Sequence, residues 1–209
     1  MGLIRLCLSF RFCHFQSYPI WNMTNSSKLQ LTLAILKPDL TLRPFSVEHV
    51  RSTLLQNNFI AIKSKQEHLS STKIKDFYRE HEGKFFYNRL VTYMSSGYSH
   101  IHILGRSENA IKKWRDLMGP TKVLKTRYEQ PDTIRGMFGI TDTRNSSHGS
   151  DSEETARKEI EFFFPDFNID AFYQSGQDQE FLNGQISQTL KLDRKLFQHF
   201  VTNSATHNW

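Results

Sequence analysis

The sequence has little cysteine and no long apolar run. Its two cysteines, Cys7 and Cys13, lie near the amino terminus, so the rest of the chain can form neither a disulfide framework nor a cysteine-based zinc site. No stretch of about 18 consecutive apolar residues occurs, which argues against a membrane-spanning helix. An aromatic content of 13% excludes a collagen-like or wholly disordered chain, because these side chains supply the area that a core buries.

Acidic residues are absent before Asp39. Residues 1–29 instead combine Arg5 and Arg11 with apolar, aromatic and serine residues, a composition typical of an organelle-import presequence. We therefore expect a mitochondrial presequence over residues 1–29 and a mitochondrial location. The alternative is a floppy extension, or one that is not translated because translation starts at Met23, and a cytoplasmic protein.

The positive charge is unevenly distributed. The formal net charge is +6, and half of that excess comes from Arg5, Arg11 and Lys28. The remainder of the chain is only mildly basic, so its charge does not require a nucleic-acid partner. This mild positive charge is compatible with small anionic ligands such as phosphates.

From residue 30 onward, short apolar segments alternate with helical patterns. A buried strand is expected over residues 31–36, and Phe45, Val47, Val50 and Leu54 recur at helical spacing. We further expect strands at 59–63, 99–104 and 134–140, and helices over 72–81, 84–95, 107–117 and 150–164. This order predicts an α+β fold of the ferredoxin-like split βαβ type, with a four-stranded antiparallel sheet and helices packed on it.

The sequence also predicts where two helices begin and where the domain ends. Ser107 is expected to cap one helix, and Ser150 another, with Glu153 in capping-box spacing. After residue 167 the composition changes to Gln, Asn and scattered charge. We therefore expect a domain over residues 30–167 and a polar, loosely packed carboxy-terminal tail over 168–209, with partner docking as the alternative for the tail.

One polar run carries chemistry that packing does not explain. The segment Asn145–Asp151 precedes the last expected helix, so backbone amides and the positive end of that helix lie near His148. Glu159 follows eleven residues later, where its carboxylate can bind one imidazole nitrogen and leave the other as a nucleophile. The alternative for a lone histidine is a structural or surface role.

Five segments, found in order, resemble one family: Leu36–Asp39, Tyr78–Met94, Met118–Gly119, Thr133–Gly136 and Asn145–Asp151. Together they are similar to nucleoside diphosphate kinases over about residues 30–167. Residues 79–83, 118–121, 139–145 and 163–167 resemble the divergent type-6 group of that family. The resemblance implies the ferredoxin-like fold and transfer of a terminal phosphate from a nucleoside triphosphate to a nucleoside diphosphate.

The resemblance also implies residue roles. His148 would carry the phosphate in a ping-pong cycle, with Glu159 orienting it, Ser150 steadying that carboxylate and the Tyr78 hydroxyl close by. The implied nucleotide-binding residues are the phosphate-binding Lys37, Arg115, Arg135 and Thr121, the sugar-binding Asn145, the base-stacking Phe86 and the underlying Leu90. Mg²⁺ would be held mainly by the phosphates of ATP or other nucleotides. Without the resemblance, each of these would be ordinary core or solvated residues.

Two departures from the family's usual pattern bear on assembly and affinity. A short insertion lies between Gly119 and Thr133, and Asp142 replaces a residue that is usually apolar near the base. The resemblance therefore does not give the oligomeric state; a protein partner or a homo-oligomer is possible. The alternative function is a regulatory or binding module of the same fold with weak or partner-dependent kinase activity.

Overall fold

One antiparallel sheet organises residues 28–183, the part of the chain that this computed structural model describes. Its strands are β1 (Gln30–Leu36), β2 (Ile60–His68), β3 (Tyr98–Arg106) and β4 (Ser147–Gly149), in the order β2-β3-β1-β4. All three pairings are antiparallel. The predicted ferredoxin-like arrangement is therefore confirmed, whereas the presequence expected at the amino terminus lies almost wholly outside the described residues.

The helices connect and cover these strands. In the described residues they are α1 (Pro38–Thr41), α2 (Pro44–Gln56), α3 (Ser71–Phe77), a 3-10 turn (Arg79–His81), α4 (Tyr87–Met94), α5 (Ala110–Met118), α6 (Val123–Glu129), α7 (Ile134–Phe138), α8 (Glu153–Phe163), α9 (Ile169–Gln174) and α10 (Gln177–Leu182). None of them has the length and apolar character needed to cross a bilayer.

The core lies on both faces of the sheet because successive strand side chains point to opposite sides. Leu33 and Ile35 of β1 belong to one cluster, which includes Ile160 of α8. The intervening Ala34 belongs to the other, which includes the fully buried Trp114 of α5. β1 is thus covered on both faces. Lys37, the residue that follows it, is held by a hydrogen bond of 2.9 Å from its amide to the Ser146 carbonyl.

The fourth strand is not where the sequence pattern places it. Residues 134–138 form α7, capped by the Thr133 side chain, which accepts a hydrogen bond from the Gly136 amide. A short apolar run alone does not distinguish a strand from a buried helix, and here the cap makes it helical. The fourth strand is the polar β4, where His148 pairs with Ile35 of β1.

The two expected helix caps are also wrong. Ser152, not Ser150, caps α8, with its hydroxyl accepting from the Thr155 amide. The Ser150 side chain instead lies against β1 and contacts Glu159. α5 begins at Ala110 after Asn109, which adopts a left-handed conformation and provides no side-chain cap; Ser107 lies before it.

The described start of the carboxy-terminal segment packs on the domain. Ile169 and Phe172 of α9 are buried in the cluster that contains Ile160. The Tyr173 hydroxyl donates a hydrogen bond of 2.8 Å to the Leu29 carbonyl, and α10 follows. Residues 168–183 thus join the core rather than forming a loosely packed tail, and residues 184–209 lie outside the described part.

Candidate active site

A cleft of about 680 Å³ opens beside the paired ends of β1 and β4. Its walls come from the end of α3 through α4, from the segment that leads into α6, and from the turn before β4. The lining residues include Lys37, Tyr78, His81, Phe85, Phe86, Leu90, Thr121, Lys122, Leu124, Arg135, Asp142, Asn145 and His148. Most of the residues singled out in the sequence therefore lie around one cavity.

His148 is held by a chain of hydrogen bonds that begins in the sheet. The Leu33 amide donates to Ser150 Oγ at 3.2 Å, and Ser150 Oγ donates to Glu159 Oε2 at 2.6 Å. Glu159 Oε1 lies 2.8 Å from His148 Nε2. Because a carboxylate only accepts, we assign the proton to Nε2. Nδ1 then keeps its lone pair, with no hydrogen-bond partner among the described residues.

Aromatic side chains fix the position of the imidazole. The Phe77 ring lies edge-on at 5.3 Å between centroids, and Trp114 Nε1 donates to the His148 carbonyl at 3.1 Å. The Tyr78 ring lies 6.1 Å from the imidazole between centroids, and its buried hydroxyl has no hydrogen-bond partner among residues 28–183. Burial and the nearby Glu159 charge raise the pKa of Tyr78, so this hydroxyl remains a proton donor beside the histidine.

Lys37 follows β1 and is buried in the cleft wall. Its Nζ donates to Asn145 Oδ1 at 2.6 Å. Burial and the positive charge of Arg135 lower the pKa of Lys37 to about 7, and Asp39 opposes this shift. The ammonium form is therefore disfavoured until an anion enters.

Arg135 lies in α7, immediately after the Thr133 cap and Ile134. Its two terminal nitrogens donate to the carbonyls of Gly119 at 2.7 Å and Ser147 at 3.0 Å. Its Nε is buried and has no hydrogen-bond partner in the described part of the chain. Burial and the charge of Arg115 lower the pKa of Arg135 to about 10. The buried Arg135 guanidinium and the Lys37 amine thus face one cavity, and within residues 28–183 neither forms an ion pair, which suits a polyanionic ligand that favours the charged form of both.

The outer part of the cleft is aromatic. Phe86 is half-buried and packs on the core, whereas the neighbouring Phe85 is 88% exposed. Leu90 is buried one turn further along α4. Both phenylalanines line the cleft, so either ring is available to a flat apolar group.

His81 is a cleft residue that the sequence reasoning missed. Its ring stacks on Tyr78 at 5.9 Å and meets Phe86 edge-on at 5.5 Å. Burial and Lys84 lower the pKa of His81. The available signal was the three-residue spacing from Tyr78, because residues i and i+3 share one face of a 3-10 turn.

Two of the expected nucleotide-binding residues occupy outer positions. Thr121 is exposed at the rim of the cleft. Arg115 lines a separate depression of about 360 Å³ with Asn109, Asp151 and Glu153. Its charge reaches Arg135, whose pKa it lowers, but the structure does not place Arg115 among the cleft-lining residues.

Residues 30–169 match the family model described as nucleoside diphosphate kinase. The chain belongs to the nucleoside diphosphate kinase family. That match covers more than half of the chain and includes every element that builds the cleft, so the resemblance seen in the sequence is confirmed.

Sequence and structural similarity to individual members of the nucleoside diphosphate kinase family supports the same assignment. The chain is 49% identical over 158 residues to "Nucleoside diphosphate kinase 6" of Xenopus tropicalis, an alignment that covers 76% of this chain and 87% of that protein. The human protein of the same name is 47% identical over 72% of this chain and 81% of its own. A crystal structure of the Aquifex aeolicus nucleoside diphosphate kinase superposes with a TM-score of 0.62 at 34% identity, covering 65% of this chain and 95% of that one.

Proposed function

We propose that this protein transfers the terminal phosphate of a nucleoside triphosphate to a nucleoside diphosphate through a phosphohistidine at His148. The observation that carries the proposal is the Ser150–Glu159–His148 chain in a cleft that is also lined by the buried Arg135 and Lys37 side chains. It directs the Nε2 proton to Glu159 Oε1, 2.8 Å away, and leaves the Nδ1 lone pair as the nucleophile.

The first half-reaction forms one bond and breaks one. The Nδ1 lone pair attacks the γ-phosphorus, and the bond from that phosphorus to the bridging oxygen breaks, releasing a nucleoside diphosphate. Glu159 stabilises the positive charge that the imidazole gains. In the second half-reaction the β-phosphate oxygen of another nucleoside diphosphate attacks the same phosphorus, and the electron pair returns to Nδ1. The two halves are chemically alike, which keeps both barriers similar.

Lys37 and Arg135 stabilise charge on the transferred phosphoryl group in this scheme. Both line the cleft with His148, and the buried Arg135 Nε is a donor with no partner among the described residues. Preorganised cations in a site that excludes water are strong stabilisers of such charge. Removal of one such donor is expected to slow transfer about 100- to 1,000-fold.

The nucleoside occupies the outer cleft in the same proposal. The base stacks on Phe86 above Leu90, and Asn145 contacts the sugar. Stacking without recognition of the base edge predicts tolerance of several bases. Mg²⁺ is proposed to be held mainly by the nucleotide phosphates, where it would neutralise their charge.

A pulse–chase experiment tests the proposal. Purified protein is mixed with γ-labelled ATP and magnesium, then chased with unlabelled GDP, beside His148→Ala and the control His68→Ala, which alters an exposed histidine at the end of β2. We expect acid-labile, alkali-stable label on the wild type and on His68→Ala, its transfer to GTP, and none on His148→Ala. Absence of label on the wild type, alone and with interacting proteins added, would leave the binding-module alternative.

We also propose that residues 1–29 direct the protein to mitochondria. The proposal rests on the absence of acidic residues there together with Arg5 and Arg11. Imaging of the full chain and of a form that lacks residues 1–22 tests it. Continued mitochondrial import of the shortened form would contradict it.

A further inference from the structure

Asp142 joins two walls of the cleft that are far apart in sequence. It lies on a tight turn that is closed by a hydrogen bond of 2.7 Å from the Ile140 amide to the Arg144 carbonyl. Its carboxylate reaches the start of α6. There Oδ1 accepts a hydrogen bond of 3.0 Å from the Val123 amide, and Oδ2 accepts one of 3.1 Å from Lys122 Nζ. These two contacts, from Asp142 to Val123 and Lys122, therefore link the turn before β4 to the segment that follows Gly119.

The start of α6 depends on this carboxylate. The residue before α6 is Lys122, whose side chain makes no capping hydrogen bond. The first amides of a helix have no partner within the helix, and the Val123 residue is fully buried. Asp142 supplies the missing acceptor from another part of the chain.

The segment between Gly119 and Val123 is held at both ends. Arg135 binds the Gly119 carbonyl at 2.7 Å, and Asp142 binds the Val123 amide. Thr121, exposed at the cleft rim, lies between these two anchors. The Thr126 hydroxyl also donates to the Pro120 carbonyl at 3.1 Å. Loss of the Asp142 anchor would therefore leave the segment held by Arg135 and by Thr126 of α6, but would free the α6 start from the turn before β4.

The same turn is connected to the phosphate end of the cleft. Asn145 Nδ2 donates to the Asp142 carbonyl at 3.0 Å, and Asn145 Oδ1 accepts Lys37 Nζ at 2.6 Å. A continuous set of hydrogen bonds thus runs from Val123 through Asp142 and Asn145 to Lys37. The Asp142 charge is compensated by Lys122 and the Val123 amide, so it presents less repulsion to an incoming nucleotide than a free carboxylate.

We propose that Asp142 is a positioning residue that sets nucleotide affinity by holding the Thr121-bearing segment against the cleft. The inference rests on the proposed function, because it takes a nucleotide as the ligand. Asp142 does not take part in phosphate transfer. Its removal therefore weakens binding and leaves the rate at saturation near that of the wild type.

The test compares three variants at or near the link. Asp142→Ala removes the acceptor and the charge, whereas Asp142→Asn keeps an oxygen for the Val123 amide. Lys122→Met removes only an exposed ion pair. Glu129→Ala is the matched control, because Glu129 forms an exposed ion pair of 3.6 Å with Lys125 on the same helix.

Binding of Mg-ADP is measured by calorimetry, exchange of the Val123 amide by NMR, and kcat and KM by steady-state transfer. Asp142→Ala is expected to raise the Kd about 5- to 30-fold, to expose the Val123 amide to exchange and to change kcat less than about twofold. Asp142→Asn should recover most of the affinity, Lys122→Met should change it less than about threefold, and Glu129→Ala should leave it unaltered.

Three results would overturn the inference. They are an unchanged Kd in Asp142→Ala, a protected Val123 amide in that variant, and a change in the preference between ADP and GDP in Asp142→Asn with Val123 still protected, which would indicate direct contact with the base. If Asp142→Ala does not fold, Asp142→Ser takes its place, because it removes the charge and shortens the side chain by one bond; the same changes in Kd and in Val123 amide exchange are expected, and the same unchanged values overturn the inference. ADP binding and amide exchange need no catalysis, so failure of the wild type to form phosphohistidine rejects the proposed function separately.

Discussion

Lys37 illustrates how one side chain can link protonation to ligand binding. Its amine is buried, donates to Asn145 and lies in the positive field of Arg135. Burial and the like charge lower its pKa to about 7. Bound phosphates reverse this balance, because an opposite charge nearby favours the ammonium form and raises the pKa.

Nucleotide binding is therefore expected to take up a proton above pH 7. In the free protein Lys37 is mostly neutral at pH 8, and in the complex it is charged, so affinity falls as pH rises through this window. Calorimetry of Mg-ADP binding at pH 8 in buffers of different ionisation enthalpy measures the uptake. Lys37→Met should abolish the Lys37 share of that uptake, and equal uptake by wild type and Lys37→Met would contradict the assignment.

The adjacent phenylalanines allow a matched comparison at the outer cleft. Phe86→Ala is expected to raise the Kd for nucleotides about 5- to 150-fold, because stacking on an aromatic ring contributes about 1–3 kcal/mol per base. Phe85→Ala should have a smaller effect, since Phe85 is 88% exposed and packs less on the core. Equilibrium binding of ADP to both variants measures this. A larger loss in Phe85→Ala would assign stacking to that ring.

Elements, rather than single residues, decide where Arg135 points. α7 contains five residues and would be marginal by itself. Thr133 stabilises it in two ways, because its hydroxyl accepts the Gly136 amide at 3.2 Å and donates to the Gln130 carbonyl at 2.8 Å. The cap thus holds the turn that presents Arg135 to the cleft.

Thr133→Val keeps the branched shape and removes the hydroxyl. We expect a loss of about 1 kcal/mol in the free energy of unfolding, which lowers the Tm by roughly 2–4 °C in a domain of this size, together with slower phosphate transfer because Arg135 shifts. Thr133→Ser retains the hydroxyl and should restore both. Thermal unfolding and steady-state kinetics measure the pair. An unchanged Tm and an unchanged transfer rate in Thr133→Val would contradict the role of the hydroxyl in holding α7.

The sequence predicts elements well where burial imposes a pattern. The apolar run of β1 and the polar–apolar alternation of β3 predicted two strands that the structure has at the centre of the sheet, and α8 has a clear apolar face. β4 escapes such prediction because Ser147–Gly149 is short and polar, and its pairing with β1 comes from the tertiary fold. The family's motifs pointed to His148, the spacing of eleven residues pointed to Glu159, and the resemblance implied the contact of Ser150 with Glu159. The capping-box spacing was misleading, because it put Ser150 at the start of α8, where Ser152 is the cap.

On the scale of the whole molecule, the carboxy-terminal helices join distant parts of the chain. α9 places Ile169 and Phe172 in the core, and Asp170 forms an ion pair of 2.9 Å with Arg157 of α8. Tyr173 binds the Leu29 carbonyl just before β1. The segment therefore stabilises two elements of the site. They are β1, which pairs with the strand that bears His148, and α8, which bears Glu159.

A chain that ends at Phe167 is expected to be much less stable than one that ends at Asn183. The shorter chain loses the burial of Ile169 and Phe172, each worth about 1.5–3 kcal/mol, and exposes the apolar surface they cover. The longer chain keeps every contact described for α9 and α10 and is the reference. Urea unfolding followed by tryptophan fluorescence compares them, and Phe172→Ala in the longer chain should reproduce about half of the loss. Equal midpoints for the two truncated chains would mean that α9 docks without stabilising the domain, and its bracing of β1 and α8 would have to be abandoned.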